Sequence, residues 1–335
     1  MSFCSGIRQW LPSIHWLLGP PEPTRPFTPT YADVCRARAV LKTLKLPTEL
    51  VLSILEHAQY WPVERISRSG GTVLARAGMN NPSAATLCLE ANPYSTPIVK
   101  EASLGGETAK IKRIDFDITS RDQGWTSENT QGTFSTSSWL EVSILRDASN
   151  INSLLPTPRL VNTWISSPMD YHTNMVGRGW SLVKRPESAL QGPQGGEGHF
   201  AWYLQGNRVM AGTQDYHVSW DEGGLCEVDE GNEGAGSGEG FLDALEPGDR
   251  VLVWARAKVC LRCEIRRLRC HANIFDSIQG GNALLTVSAL MFTTASKAQT
   301  VRNLLYLIWV YVILLVRGVS QWSFCSRYSC FMLKL

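Results

Sequence analysis

The sequence predicts a mainly β protein of the α+β class, an antiparallel β-sandwich or jelly roll preceded by an α-helical N-terminal segment. Apolar and polar residues alternate in five stretches between residues 112 and 258. Glycine-rich turns separate these stretches, and no amphipathic helical pattern lies between them, which favours two packed antiparallel sheets. The clearest helical pattern, at residues 46–62, comes before all five.

Charge and cysteine usage restrict the class of protein. Residues 221–249 hold ten carboxylates and no Lys or Arg, whereas residues 259–335 hold nine Lys and Arg against two carboxylates. Charge is therefore segregated by segment, although the whole chain has a net charge of only +2. The nine cysteines are odd in number and follow no disulfide framework, which favours reduced thiols in the cytosol or the nucleus.

The N-terminal third combines a leader with a helical segment. Residues 1–30 contain six prolines and little periodicity, and they predict a disordered leader without a signal peptide. Residues 31–68 predict helices, and the second of them begins at Pro47 and ends before Pro62. Its apolar residues form one stripe that must pack on its own domain or on a partner: Leu46, Leu50, Val51, Ile54, Leu55 and Ala58.

The stretch LPTELVLSILEHAQYW resembles the opening of an F-box-like motif, and it covers about the first half of one. The resemblance implies a ubiquitin-ligase adaptor whose helix docks on a Skp1-type protein. It also implies that the contact residues are Leu46, Pro47, Leu50, Ile54 and Leu55. A plain core helix with a proline at its start requires the same residues, so that alternative stays open.

The β region spans residues 111–258 and follows a predicted linker at 69–110, which is rich in Gly, Asn, Pro, Ser and Thr. Its strands centre on Phe116, Val142, Trp202, Val218 and Val253, and alternation predicts that each is half-buried. Two inserts interrupt them. Residues 147–199 are proline-rich and predict a surface excursion, and residues 221–244 are acidic and predict a solvated loop.

Four motifs of the β region resemble a family of uncharacterised fungal proteins: SRDQGW at 120–125, GTFSTSSWLEV at 132–142, WYLQGNRVMAGTQDYHVSW at 202–220 and LEPGDRVLVWARAK at 245–258. In that family the β domain often follows an F-box-like or ankyrin segment, and no activity carries over. Arg121 stands where the family usually has His. After Lys258 the expected Phe-Pro-Gly-Trp is replaced by VCLRCEIRRLRCHANIF.

The β region offers one candidate ligand patch and no catalytic motif. A concave polar and aromatic patch that binds a sugar or a peptide is predicted from six residues: Asp122, Trp125, Trp139, Asn207, His217 and Trp220. The alternative is that the tryptophans fill the core and Asp122 caps a turn. Chemistry at Asp122 and His217 is the least favoured hypothesis, so the sequence predicts a protein that is not an enzyme and has no cofactor.

Residues 259–300 are the most ambiguous part of the chain. The cysteine and histidine pattern supplies four zinc-type ligands at close spacing: Cys260, Cys263, Cys270 and His271. The alternatives are a basic strand and an unrelated reading frame, and the primary expectation is no metal. Arginines cluster from Arg262 to Arg269 without interleaved aromatic residues, so no nucleic acid is expected as a partner.

The C-terminal tail, residues 301–335, contains thirteen consecutive apolar residues from Leu304 through Trp309 to Val316. As a helix they span ~20 Å, less than the ~30 Å hydrocarbon core of a bilayer. A membrane anchor therefore requires residues beyond Arg317, and the alternatives are a buried or aggregation-prone strand and a gene-model error. The expected partners are a Skp1-type adaptor, an unknown client protein and, through residues 304–316, a membrane.

Overall fold

The computed structural model describes residues 28–68, 70–104, 108–148, 164–189, 192, 198–258 and 262–277. The helices are α1 (Tyr31–Thr43), α2 (Thr48–His57), α3 (Pro97–Leu104), α4 (Pro168–Val176) and α5 (Phe241–Ala244). The strands are β1 (Val63–Ser67), β2 (Val73–Arg76), β3 (Ser83–Ala91), β4 (Thr108–Arg121), β5 (Ser138–Asp147), β6 (Trp164–Ile165), β7 (Trp180–Leu182), β8 (Trp202–Gly206), β9 (Gln214–Asp221), β10 (Gly224–Val228), β11 (Arg250–Lys258) and β12 (Arg262–Ser277).

Two antiparallel sheets face each other, which confirms the mainly β, sandwich-like prediction. Sheet I has the order β1-β12-β4-β9-β10, and β2 pairs with the part of β12 that lies beyond β1. Sheet II has the order β6-β3-β11-β5-β7, and β8 also pairs with β5. The chain crosses between the sheets repeatedly, as from β4 to β5 and from β11 to β12.

The main core lies between the sheets, where alternation predicted it. Ile114, Phe116 and Ile118 of β4 face the other sheet and are buried. Their neighbours in sequence point outward, because successive strand residues alternate between faces. However, β5, β8 and β11 are buried on both faces, so the prediction that every strand is half-buried was wrong for these three strands.

A second core, on the outer face of sheet II, explains why β5 and β11 are buried on both faces. Tyr171 and Met175 of α4 pack with Trp180 and Leu182 of β7 against the outer face of sheet II, where Trp254 is buried. These elements belong to the proline-rich insert at 147–199, which was expected to be a surface excursion. Its described part instead covers one face of sheet II, because that face is apolar and requires a covering layer.

Two further boundaries differ from the predicted ones. The supposed linker at 69–110 contributes β2, α3 and the nine-residue β3, which is almost completely buried. The β body also does not end at Lys258, because β12 pairs with β4 from Glu264 to Ser277. The sequence pattern predicted neither strand, because the small residues of β3 and the arginines of β12 interrupt the alternation of apolar and polar residues.

The predicted helical segment forms a two-helix hairpin. Val51 and Leu55 of α2 pack against Val34, Ala37 and Leu41 of α1 in a small separate cluster. The chain then enters β1, whose residues Val63–Ser67 pair with β12, so the last part of residues 31–68 belongs to sheet I. Lys112 of β4 forms an ion pair with Glu56 of α2 at 3.1 Å, which ties the hairpin to the sheet.

Candidate binding site

A cavity of about 310 Å³ opens at one end of the sandwich, beside the β4–β5 loop. Most of its wall comes from that loop, and the remainder comes from Val209 and Arg262. The loop residues that line it are mainly polar: Asp122, Gln123, Trp125, Thr126, Ser127, Glu128, Thr130, Ser135, Thr136, Ser137 and Ser138. A concave space of this size with several polar groups is the usual form of a small-ligand site.

Asp122 holds the start of the loop in place. Its Oδ1 accepts a hydrogen bond from the backbone N–H of Gly124 at 2.9 Å, and its Oδ2 accepts one from the N–H of Met210 at 3.0 Å. Gly124 lies in the left-handed region, with φ of 86°, where glycine carries no steric penalty. Both carboxylate oxygens therefore position backbone, which confirms the prediction that Asp122 caps a turn.

Asn207 anchors the floor behind the cavity. Its Oδ1 accepts from the Ser120 hydroxyl at 2.6 Å, and its Nδ2 donates to Ser138 Oγ at 3.1 Å and to Cys263 Sγ at 3.2 Å. Asn207 is completely buried, so these bonds satisfy an amide that would otherwise destabilise the fold. The network links strands of both sheets just behind the hydroxyl groups of the cavity wall.

Trp125 gives the cavity its exposed aromatic surface. Its side chain is 59 % exposed, although an indole of this size is normally among the most buried side chains. Arg262, the first residue of β12, also lines the cavity, and its Nε is buried without a hydrogen-bond partner among the described residues. The cavity therefore combines an apolar ring face, several hydroxyl donors and acceptors, and both signs of charge.

The predicted six-residue patch does not form one surface. Asp122 and Trp125 line the cavity, and Asn207 lies behind it. Trp220 is buried between the sheets with its Nε1 bonded to the carbonyl of Gly236 at 2.9 Å, so it is a core residue. The predicted patch was wrong for this residue because its side chain shares the inward face of β9 with Val218.

Trp139 and His217 are also separated from the cavity opening. Trp139 is 1 % exposed, and its Nε1 donates to Glu141 Oε1 at 2.7 Å. His217 lies on the outer face of sheet I, where its Nδ1 lies 2.9 Å from Asp117 Oδ1. Asp117 precedes Asp122 by five residues, roughly 16 Å of extended chain, so the hypothesis of shared chemistry at Asp122 and His217 has no geometric basis.

The zinc-type residues do not converge. Cys263 and Cys270 point into the core between the sheets, whereas His271 points outward, and its Nε2 lies 3.6 Å from Asp117 Oδ2. Burial raises the pKa of each of the two thiols to about 12, which disfavours the thiolate that zinc requires. No group of three metal-binding side chains occurs in the described part of the chain, and Cys260 lies outside it.

The F-box-like residues have mixed environments. Leu55 is buried in the hairpin core, and Leu46 and Ile54 pack against it from its margin. Pro47 precedes the first turn of α2 as its N-cap. Among the five, Pro47 and Leu50 are exposed, Leu50 to 50 %, and Leu44 at the end of α1 is 53 % exposed. The stripe is therefore divided between a buried face and an exposed edge.

Sequence reasoning missed the hydroxyl-bearing wall of the cavity and Arg262. The Ser and Thr residues at 133–138 looked like ordinary loop polarity, because single residues of these types in loops carry no specific signal. Arg262 lay beyond the expected end of the β domain. A usable signal was the density of Ser and Thr in GTFSTSS next to an SRDQGW loop.

No protein-family model matches the chain, and the comparison with curated proteins finds no similar sequence. None of the helices among the described residues is long and apolar enough to cross a membrane. The predicted membrane segment with Leu304, Trp309 and Val316 lies outside the described residues, as do the tail at 301–335 and most of the leader.

Proposed function

We propose that the chain is a non-enzymatic binding protein whose β-sandwich recognises a polar ligand in the cavity beside Trp125. The observation that carries this proposal is the exposed indole of Trp125 above a wall of Ser and Thr hydroxyls. An aromatic face can pack on the apolar face of a sugar ring, while hydroxyls exchange hydrogen bonds with the rim of that ring. A sugar therefore fits better than a fully apolar ligand.

The cavity walls are fixed before any ligand arrives. Asp122 bonds to two backbone N–H groups, and Arg208 Nε donates to the carbonyl of Gly132 at 2.8 Å across the loop. The buried Asn207 network supports the wall from behind. A preformed site of this kind loses little conformational entropy on binding, which favours recognition by a rigid module.

The test is ligand binding by the full chain to a sugar panel and a peptide panel, with Trp125→Ala as the variant. Removing the indole should weaken binding at least about fivefold, since an aromatic contact contributes ~1 kcal/mol beyond the area it buries. Met79→Ala is the matched control, because Met79 is a 91 % exposed apolar side chain outside the cavity wall. Equal loss in both variants, or binding that ignores Trp125→Ala, contradicts the proposal.

Fluorescence quenching gives an independent readout. Among the tryptophans whose side chains are described, Trp125 is the only one that is strongly exposed. A ligand in the cavity should therefore protect the acrylamide-accessible emission of the wild type and leave that of Trp125→Ala unchanged. If only peptides protect this emission, the ligand of the site is a peptide and not a sugar.

An adaptor role is the second candidate, and the exposed Leu50 on α2 favours it. We propose that Leu50 and Leu44 are the accessible part of the F-box-like hairpin and contact a Skp1-type protein, with the sandwich holding the client. Co-purification with a Skp1-type protein should be lost in Leu50→Asp and retained in Val176→Asp, which alters a 54 % exposed residue of α4. Retention in both variants, or no association of the wild type, removes the adaptor role.

A further inference from the structure

The two edges of sheet I carry opposite charge. One edge consists of β1 and β2, which pair with successive parts of β12, the next strand in, and the other edge is β10. We define the basic edge as five arginines of β2 and β12: Arg76, Arg262, Arg266, Arg267 and Arg269. We define the acidic edge as five carboxylates of β10 and its flanking turns: Glu222, Glu227, Asp229, Glu230 and Glu233.

A β-bulge concentrates the charge of the basic edge. The register of β12 against β4 shifts between Ile265 and Arg267, so β12 has one additional residue there. Ile265 and Leu268 consequently both stay in the core, while Arg266 and Arg267 are both exposed. The strand presents three arginines within four positions on the outer face, where regular alternation would present two.

Concave spaces accompany these arginines. A cavity of about 160 Å³ lies where β1 gives way to β2 along β12, and its walls include Ser67, Gly70 and residues 265–269. A wider space of about 500 Å³ includes Arg76. Glu264 already accepts hydrogen bonds from Arg121 and Arg266. Arg267 has no ion-pair partner among the residues that the structure describes.

The acidic edge has accessible carboxylates of its own. Glu222 pairs with Lys110 and Lys112, and Glu227 pairs with Arg113. In contrast, Glu230 and Glu233 are exposed and have no ion pair within the described ranges. On β10 itself Leu225 and Val228 are 40 % and 37 % exposed, so this edge also offers apolar contact area.

The edges cannot neutralise each other within one molecule. Three strand spacings separate β12 from β10, which is about 14 Å at ~4.8 Å per strand. The Debye length at physiological ionic strength is ~8 Å, so attraction across the sheet is largely screened. Each edge therefore retains its potential for contact with another molecule, and edge strands also present unpaired backbone groups to a neighbouring strand.

We propose that the acidic edge of one copy of this chain binds the basic edge of a second copy, in a head-to-tail arrangement that goes beyond the ligand-binding role. Carboxylates of residues 230–233 enter the arginine-lined spaces, where planar guanidinium groups match them with paired hydrogen bonds. Because the two contacting surfaces differ, the interface is heterologous. It leaves one basic and one acidic edge free at the ends of each assembly.

The test compares sedimentation of the full chain with that of two charge-reversed variants. The basic-edge variant carries Arg76→Glu and Arg267→Glu, and the acidic-edge variant carries Glu230→Lys and Glu233→Lys. The wild type should self-associate at micromolar concentration, and each variant should associate at least about tenfold more weakly, because like charges then face each other. A mixture of the two variants should restore association as one-to-one pairs.

Salt and a matched control distinguish this interface from other association. Raising the salt concentration should weaken a charge-driven contact, whereas apolar association through other segments resists it. Arg178→Glu with Glu187→Lys makes one charge reversal of each kind at exposed residues outside both edges, leaves the net charge unchanged, and should behave as the wild type. A wild type that stays monomeric at about 0.1 mM and low salt overturns the proposal, as does association that neither edge variant alters. Circular dichroism of each variant verifies that it is folded.

Discussion

Replacing Glu141 with Gln tests whether the buried ion pair on the outer face of sheet II holds that face together. Glu141 and Arg256 are both buried, and Arg256 Nη1 donates to Glu141 Oε2 at 2.6 Å. Trp139 Nε1 donates to the other oxygen at 2.7 Å. Arg256 also donates to the carbonyl of Ala84 at 3.2 Å and to Ser83 Oγ at 3.2 Å.

The expected loss of stability follows from the charge of Arg256, which Glu141→Gln leaves buried without its carboxylate partner. Hydrogen bonds to charged groups contribute about 1.5–3 kcal/mol each, and Glu141 accepts two of them. Breaking a buried pair by removing one partner typically costs 3–5 kcal/mol, because the remaining charge stays buried and uncompensated. We therefore expect Glu141→Gln to lower the free energy of unfolding by about 3–5 kcal/mol, a large share of an ordinary domain's stability.

Urea denaturation of Glu141→Gln, Arg256→Met and the double variant measures this pair. The double variant should lose less stability than the two single variants combined, since it buries no unpaired charge. A coupling of about 2 kcal/mol or more is expected between the two positions. A cost below about 1 kcal/mol for Glu141→Gln, or additive single effects, would refute the reasoning and show that water reaches the pair.

Three further predictions concern packing, pH and thiols. Gly236→Ala should destabilise the fold by more than about 2 kcal/mol in a thermal melt, since a Cβ there lies 1.8 Å from the carbonyl oxygen of Tyr203; Gly71→Ala, with open space, should not. Burial alone would raise the pKa of Glu264, but hydrogen bonds from Arg121 and Arg266 outweigh burial and lower this pKa below its ordinary value of 4.5. The ionised Glu264 carboxylate therefore stabilises the fold above pH 4.5, and this stabilisation is lost as the pH falls through the pKa of the folded state. Glu264→Gln should accordingly flatten the loss of stability in acid, and an unchanged pH profile would contradict this. Among the five described cysteines, Cys35 and Cys226 should react with an alkylating reagent in the native state, whereas Cys88, Cys263 and Cys270 should react only on unfolding, as peptide mapping would show.

The strands of the sandwich were predictable from the sequence where one face of the strand is exposed to solvent. In β4 and β9 the core positions Phe116 and Val218 alternate with outward polar residues, and this pattern gave both strands. β3 gave no such signal, because its residues are buried on both faces and read as a run of small apolar residues. Whether a strand is covered on its second face depends on distant segments, such as α4, which local patterning does not reveal.

The candidate site was predictable only in part, for a related reason. Asp122 and Trp125 follow directly after a predicted strand, so their position at its end could be inferred. Trp139 and Trp220 could not be assigned from residue type, because tryptophan serves equally as a core filler and as a binding surface. The difference is set by strand register: Trp220 shares the face of Val218, while Trp125 lies in the loop beyond β4.

β12 is the element on which the fold, the cavity and the charged edge all depend. It begins where the chain departs from the motif expected after Lys258, yet its Cys263, Ile265 and Leu268 are buried in the main core. Without it β4 would lose one of its two neighbours in sheet I, and the Asn207 network would lose the thiol of Cys263. Because one strand supplies the core on one face and arginines on the other, substitutions on its outer face test the proposed ligand and partner binding without dismantling the sandwich.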